Sequence, residues 1–254
     1  MRACLATPVR RTLGQQRAFD LLFLAYWPVR NLFVRQPTAR RVAVLSMWDQ
    51  AQADLAQITA PNKAAYCQRR GYAWLPCTSG FDPSRPVAWS KLLFLQRHLP
   101  DYEWIMWSDA DSLITNPAIK IESLIRTKAD LVITMDKVGF NSGSFLIRNS
   151  SWSLAFLAEA WSLPAQPAAL HGFDIWSDRL WENRAFVQLL LAFRHRRHTQ
   201  VLPQRRLNSY LADTQRPDEN ADHQPGDFVL HLPGTAHEKR LSVLSKYASR
   251  LTQH

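Results

Sequence analysis

Glycine is scarce in this chain, with eight among 254 residues. No two of these glycines have the spacing of a G-x-G-x-x-G dinucleotide fingerprint or of a P-loop. Both motifs need glycine at fixed positions because the backbone must approach phosphate closely. The sequence therefore excludes a Rossmann dinucleotide motif and a Walker motif.

Cysteine is equally rare, since the chain contains only Cys4, Cys67 and Cys77. Three scattered cysteines are too few for a disulfide framework or a zinc knuckle. Their spacing alone leaves a bridge between Cys67 and Cys77 open. A reducing compartment is the preferred interpretation.

A long apolar run is also missing. The best candidate, residues 19–34, is interrupted by Asp20, Pro28 and Arg30, well short of the roughly 20 apolar residues that a spanning helix needs. No small-residue cleavage site follows it, so a secretory signal is not expected. The arginines before it and the aromatics within it suit a basic amphipathic helix in a membrane interface, and a helix packed on the domain explains the pattern equally well.

Acidic residues are outnumbered, with 21 against 31 Lys and Arg, for a net charge of +10. The excess is local: residues 1–41 hold eight arginines and one acid, and residues 194–206 hold five arginines and no acid. A nucleic-acid-binding domain spreads its basic residues over the folded face that meets phosphate, so no nucleic-acid partner is expected. We predict a basic arm over 1–40, in which residues 1–35 meet an anionic membrane surface or are simply solvated.

From Val42 onward, short apolar runs alternate with helical patterns, which is typical of an α/β sheet with its ligand at the carboxyl ends of the strands. Pro61 is expected to break the first helix near residue 60. We predict a single domain over 41–240, followed by a C-terminal helix or tail over 241–254. Strands are predicted at 42–47, 72–77, 104–107, 131–135, 144–148, 199–204 and 227–232, and the main helices at 50–70, 86–98, 153–161 and 181–193.

Two carboxylates, Asp109 and Asp111, directly follow the buried strand at 104–107. Acids two positions apart at a strand end converge on one hard divalent cation, which takes one or two protein carboxylates and completes its shell with phosphate and water. The D-x-D pattern alone is common by chance. A buried strand has no packing reason to end in two acids, and this placement favours a metal or catalytic role.

The segment EWIMWSDADSLITNP strongly resembles the D-x-D strand of glycosyltransferase family 34, the fungal galactosyl and mannosyl and plant xylosyl transferases. Five more blocks resemble the family in the same order, so that the likeness extends over about 42–236. They lie at 60–74, 88–104, 140–161, 202–210 and 227–234.

The resemblance implies a GT-A fold, which is Rossmann-like with a mixed, mostly parallel sheet flanked by helices. It also implies metal-dependent, retaining transfer of a hexose or pentose from a UDP-sugar or GDP-mannose to a glycan or other hydroxyl acceptor. Asp109, Asp111 and His231 would hold Mn²⁺ or Mg²⁺, and Glu182 and Asn183 would be catalytic. The implied donor-binding residues are Ser46, Asn62, Lys91, Asp109, Asn141, Ser142, Gly143 and Gly234.

Each of these residues also has a plainer interpretation. His231 alone is typical of a packed histidine, and Lys91 of a solvated helix lysine. Asn62 with Lys63 suits a helix cap, and residues 141–143 suit a tight turn.

The chain departs from the family at two places. Asn183 stands where the family usually carries Gln. Asparagine keeps the amide group, but its side chain is shorter and reaches less far. After His231 the plant members have a lysine a few positions on, and which residue here meets phosphate is open. The candidates are Thr235, Ala236, His237, Lys239 and Arg240.

Two other functions stay open: a glycogenin-like GT-A transferase of another family, and a catalytically impaired nucleotide-sugar-binding homologue. Four tryptophans flank the irregular segment 162–180 and stack acceptor sugars or pack in the core. A cytoplasmic enzyme, peripheral at the inner membrane leaflet, is expected, with a Golgi enzyme lacking its anchor as the alternative. The tryptophans are Trp152, Trp161, Trp176 and Trp181.

Overall fold

The computed structural model describes residues 42–125, 128–136, 139–165, 181–211 and 222–251. The predicted arm over 1–40 and Trp176 lie outside these ranges. The domain boundaries at 40 and 240 stay predictions.

A six-stranded sheet with the order β2-β1-β3-β6-β5-β7 forms the centre of the molecule. Only β6 runs antiparallel to its neighbours β3 and β5; the other pairings are parallel. The predicted α/β class with a mixed, mostly parallel sheet is confirmed. The strands are β1 Val42–Met47, β2 Ala73–Cys77, β3 Trp104–Ser108, β5 Leu131–Asp136, β6 Gly139–Arg148 and β7 Thr199–Leu202, while β4 Ser112–Ile114 and β8 Val229–His231 form a separate antiparallel pair.

The central strands are buried on both faces, which explains their continuous apolar sequences. Along β3, Ile105 and Trp107 pack into one core cluster, whereas Trp104 and Met106 pack into another. Successive side chains of a strand point to opposite faces, so the two clusters are the two sides of the sheet.

Helices cover both sides of the sheet. They are α1 Ala53–Arg70, α2 Ser90–His98, α3 Ser151–Ser162, α4 Trp181–Leu190, α5 Phe193–Arg196 and α6 His237–Leu251. Helices α2, α3 and α4 bury Leu92, Phe156 and Phe186 in the first cluster, while α1 contributes Tyr66 to the second. A third cluster joins α1 to α6 and to the β4–β8 pair around Leu244.

The predicted break at Pro61 is wrong, because α1 runs through this residue without interruption. Proline removes one helical hydrogen bond, here to the carbonyl of Gln57. Both Pro61 and Gln57 are exposed, so water reaches that carbonyl. On either side of the proline, Thr59 Oγ1 donates to the Ala110 carbonyl at 2.7 Å and Asn62 Nδ2 to the Ile114 carbonyl at 3.0 Å. These contacts hold the helix together across the missing bond.

Cys67 and Cys77 are free thiols, so the bridge that their spacing left open does not form. They belong to clusters on opposite faces of the sheet. Burial raises the pKa of Cys67 to about 12 and that of Cys77 to about 11. Both thiols therefore stay protonated and unreactive at neutral pH.

Within the described ranges, every helix is too short or too polar to cross a bilayer.

Replacing Pro61 with alanine is expected to raise the free energy of unfolding by about 1–2 kcal/mol, since the helical bond to Gln57 forms and the gain exceeds the lost rigidity of the unfolded chain. Thermal unfolding measures this change. The matched control is Pro100→Ala, because Pro100 lies in the first turn of a short helix, where proline is tolerated. An unchanged or lower melting temperature for Pro61→Ala contradicts the account.

Candidate functional site

The site lies at the carboxyl ends of β1 and β3, where the chain leaves the sheet. In the β3–β6 register Ser108 pairs with Ser144, and one residue further the Asp109 amide donates to the Gly143 carbonyl at 2.9 Å. In the small sheet, Ser112 of β4 pairs with His231 of β8. These two registers bring the D-x-D turn, β6 and His231 together.

Asp109, Asp111 and His231 form a compact cluster in which one ligand atom from each lies within 4.8 Å of the others. His231 Nε2 is 3.3 Å from Asp111 Oδ1 and 3.8 Å from Asp109 Oδ2. Asp111 and His231 are buried, while the Asp109 side chain is 30% exposed. The cluster therefore opens to solvent beside Asp109.

The orientation of His231 is set by Asn208, a buried residue that follows the short helix after β7. Asn208 Nδ2 donates to Asn141 Oδ1 at 3.0 Å, so its amide oxygen is the atom that lies 2.8 Å from His231 Nδ1. Because that oxygen only accepts, Nδ1 is the nitrogen that donates to it, and Nε2 is the nitrogen that faces the carboxylates. Metal-binding histidines are typically held in this way.

Arg240 on α6 supplies positive charge to the cluster, with its guanidinium 3.0 Å from Asp111 Oδ2. Burial alone would raise the pKa of the Asp111 carboxyl, but His231 and Arg240 outweigh it and hold the pKa below its usual range. Asp111 is therefore ionised, as a metal ligand must be.

Lys91 is buried on α2 and ties three groups together. Its Nζ lies 2.5 Å from Glu182 Oε1, 3.1 Å from Asp109 Oδ1 and 3.0 Å from the Ser142 carbonyl. Burial alone would lower the pKa of Lys91, but the Asp109 and Glu182 carboxylates raise it above its ordinary value. All three N–H donors are engaged, so Lys91 positions Asp109 and Glu182 and has no donor left for a phosphate.

Glu182, in the first turn of α4, is buried beside this lysine and also accepts from Ser142 Oγ at 3.2 Å. Burial is the main reason that its pKa is raised; Lys91 opposes the shift and Asp109 adds to it.

Lys63 is a second buried lysine beneath the D-x-D turn. Its Nζ is 2.6 Å from the Asp109 carbonyl and 3.4 Å from Ser46 Oγ. Burial lowers its pKa to about 7 against the opposing pull of Asp111 and Asp109. Ser46 and Lys63 thus support the turn from inside the domain.

Gly143 lies directly under the imidazole of His231. A Cβ at this position would overlap His231 Cε1 and would lie 2.9 Å from each ring nitrogen. Only glycine leaves room for the ring, so this residue is required by close approach rather than by a turn.

Three of the predicted site residues are not brought to the cluster. The Asn62 side chain makes two hydrogen bonds with the backbone of Ile114: Nδ2 donates to the carbonyl at 3.0 Å, and Oδ1 accepts from the amide at 2.8 Å. The Asn183 amide accepts from the Ser142 amide at 2.7 Å and donates to the Phe140 carbonyl at 3.1 Å. Gly234 makes the turn after β8 with φ of 68°. These residues join elements of the fold.

The tryptophans divide into two groups. Trp152 and Trp161 are half-buried and pack against the first core cluster. Trp181 is 51% exposed, has a φ of 41° and directly precedes Glu182. Positive φ is unusual for a bulky residue and commonly marks a functional position.

Two contributors to the site were not named from the sequence, and a third was named only among several candidates. Asn208 lies in the block at 202–210, where a polar side chain among buried neighbours was the available signal. Arg240 was one of five candidates after His231. Trp107 Nε1 donates to Asp109 Oδ1 at 2.6 Å. The available signal for Trp107 was its position in the strand, two residues before the acid.

The donor set suits a hard divalent cation: two carboxylates and one imidazole nitrogen whose partner nitrogen is committed to Asn208. Ligands of this kind fit Mn²⁺ or Mg²⁺. The cluster is thus a possible metal site.

Comparisons with known proteins show the family and the fold of the chain. The model of the galactosyl transferase GMA12/MNN10 family matches residues 39–131 and 126–242. The chain is 28% identical over 220 residues to the "Probable alpha-1,6-mannosyltransferase MNN10" of Saccharomyces cerevisiae, covering 70% of this chain and 54% of that protein. It is 34% identical over 113 residues to the "Probable xyloglucan 6-xylosyltransferase 5" of Arabidopsis thaliana, covering 40% of this chain and 24% of that protein.

The chain thus spans about half the length of the yeast relative and about a quarter of the plant relative. A crystal structure of a glycosyltransferase involved in the glycosylation of the major capsid of PBCV-1 has the same fold, with a TM-score of 0.62 at 17% identity. That similarity covers 81% of this chain and 99% of the other. The predicted GT-A fold is confirmed.

Gly143→Ala is expected to displace the His231 ring and to lower the free energy of unfolding by about 2 kcal/mol or more, because the added methyl overpacks a buried site. Ser144→Ala is the matched control in the same strand, since Ser144 is buried and its hydroxyl has no hydrogen-bond partner among the described residues. Denaturant unfolding of both variants measures the difference. Equal stability of the two variants contradicts the close contact.

Proposed function

Because this chain belongs to the galactosyl transferase GMA12/MNN10 family, that is, glycosyltransferase family 34, we propose that it is a metal-dependent retaining glycosyltransferase. It transfers a hexose or pentose from a UDP-sugar or GDP-mannose to a hydroxyl of a glycan or another saccharide acceptor. The observation that carries the proposal is the cluster of Asp109, Asp111 and His231, with His231 Nδ1 committed to Asn208.

In this proposal the three residues of the cluster hold Mn²⁺ or Mg²⁺. A divalent cation there supplies charge stabilisation for the diphosphate leaving group of the donor. Asp109, whose side chain is 30% exposed, is the ligand nearest to solvent and thus to the donor. Arg240 keeps Asp111 ionised and adds positive charge next to this carboxylate.

The sugar side of the site is assigned to Glu182. Its carboxylate is held by Lys91 and Ser142, next to Asp109, so its position is defined before substrate binds. Asn183 acts through the fold in this proposal: its amide fixes the first turn of α4 on β6, and Glu182 is oriented as a result. Asn141, Ser142 and Gly143 contribute the β6 wall beside the donor.

Acceptor binding is assigned to the exposed face of Trp181. Indole rings bind the apolar faces of sugars by stacking, and Trp181 adjoins the carboxylate assigned to the reacting sugar.

The alternative, a transferase of a different GT-A family, is excluded because the family model matches most of the chain. A catalytically impaired homologue remains as a defined outcome of the test below. A cytoplasmic, membrane-peripheral location remains part of the proposal.

The direct test is a panel of UDP-sugars and GDP-mannose with the purified protein and Mn²⁺, read as nucleotide release. We expect release with one donor, abolished by EDTA and lowered about 100-fold or more by Asp111→Asn, because a metal ligand is lost. Asp130→Asn is the matched control, since Asp130 is a buried acid paired with His198 at the amino edge of the sheet.

Donor binding without release identifies an impaired homologue. Release that persists in EDTA, or that Asp111→Asn leaves unchanged, contradicts the proposal.

Trp181→Ala is expected to raise the KM for the acceptor about threefold to tenfold by removing the stacking surface, with little change in the KM for the donor. Steady-state kinetics against both substrates measure this. Trp181→Phe keeps an aromatic face and is expected to restore most of the affinity; if it is as impaired as alanine, stacking is not the role of Trp181.

A further inference from the structure

Residues 191–197, which connect α4 to β7 and include the one-turn helix α5, are called the 191–197 turn here, and they carry an exposed apolar pair. Phe193 is 81% exposed and Leu191 is 46% exposed. In the described part of the chain, the only other exposed large apolar residue is Trp181. Single exposed apolar residues are common on protein surfaces, but two large ones within three residues of each other, next to cationic groups, mark a candidate interaction site.

Three arginines lie next to this pair in the sequence. Arg194, Arg196 and Arg197 follow directly, and no acid occurs between residues 191 and 206. Two contacts fix the shape of the turn: Arg194 pairs with Glu159 of α3, and Arg196 donates to the Leu191 carbonyl at 3.2 Å. The apolar side chains and the cationic groups are thus presented together by an ordered segment.

The topology places this turn at the edge of the sheet opposite the candidate site. Strands β1, β3, β5 and β7 are all parallel, so residues that precede them share the amino edge, whereas Asp109 lies at the carboxyl edge. The turn directly precedes β7. Anything that binds it leaves the candidate site uncovered.

The basic segment 1–41 joins the fold at the same edge, because it leads directly into β1 at Val42. With the order β1-β3-β6-β5-β7, four strand spacings separate the two attachment points, about 19 Å along the edge. This segment carries seven net positive charges, and its connection to the fold, at Val42, is on the side that carries the 191–197 turn.

Among the residues that the structure describes, few acids lie at this edge. Asp130 is paired with His198 and Glu159 with Arg194. Asp101 and Glu103 precede β3, three strand spacings from β7 and thus about 14 Å away. In the described part of the chain, basic groups therefore outnumber acidic groups around Phe193.

We propose that the 191–197 turn is a docking element for an anionic lipid bilayer, in which Phe193 and Leu191 enter the headgroup region and the arginines meet lipid phosphate. Interfacial segments combine these two residue types because apolar burial and attraction to anionic headgroups add. The phosphates of a nucleic acid would bind the arginines, but they would leave the side chains of Leu191 and Phe193 without an apolar partner. The inference stands apart from the proposed transferase activity.

The test places an environment-sensitive fluorophore, NBD, on the turn of the full chain. Phe193→Cys in a Cys4→Ser background is labelled, since Cys67 and Cys77 are buried and unreactive. We expect a blue shift of NBD emission with phosphatidylglycerol-containing vesicles and none with pure phosphatidylcholine vesicles. Arg206→Cys is the matched control, an exposed arginine position at the opposite end of β7, and its label is expected to stay unshifted.

Single substitutions test the apolar contribution and the charge contribution to vesicle binding separately. Phe193→Ser is expected to lower partitioning to anionic vesicles about tenfold, and Arg197→Gln about fivefold. Arg206→Gln, a matched loss of one charge, is expected to change it less than about twofold. Sedimentation with vesicles measures all three.

An unshifted label at residue 193 while the protein sediments with vesicles overturns the proposal, since the basic arm alone would then be docking. A shift produced by protein concentration without vesicles, or by duplex DNA, also overturns it and assigns the turn to a second copy or to nucleic acid.

Discussion

The placement of two carboxylates after β3, Asp111 buried and Asp109 partly buried, is the constraint on which the rest of this structure depends. Burying an ionised acid costs several kcal/mol unless it is paired. Here the compensation comes from three directions: Lys91 from α2, Arg240 from α6 and His231 from β8. Each of these partners lies on a separate element, so the charge balance of Asp109 and Asp111 decides how those elements meet.

Several features that seem unrelated follow from this requirement. The β4–β8 pair exists outside the main sheet and delivers His231 to the acids. Gly143 has no side chain because the imidazole occupies that space. Asn208 is buried because it holds the ring in one orientation. Charge compensation, strand pairing and side-chain size are therefore consistent with one another around a single small volume, which is the arrangement that binding of a cation requires.

Much of the fold was predictable, because apolar periodicity follows from burial on one or two faces of the sheet, as in β1 and β3. Strand position and family resemblance also predicted Asp109, Asp111 and His231 as one set of ligands, and the structure brings the three side chains together. Side-chain direction was not predictable: Asn183 turns toward the β6 backbone and Lys91 is saturated by acceptors, because tertiary contacts set both. The continuity of α1 through Pro61 likewise depends on contacts made by distant residues.

The central claim is that Asp109, Asp111 and His231 bind one divalent cation through His231 Nε2. Pulsed electron paramagnetic resonance of the purified protein with Mn²⁺ and UDP or GDP tests it most directly. The account predicts one bound Mn²⁺ per chain with hyperfine coupling to a single imidazole nitrogen, and loss of that coupling in His231→Ala. Bound Mn²⁺ without imidazole coupling, or coupling that survives in His231→Ala, contradicts it.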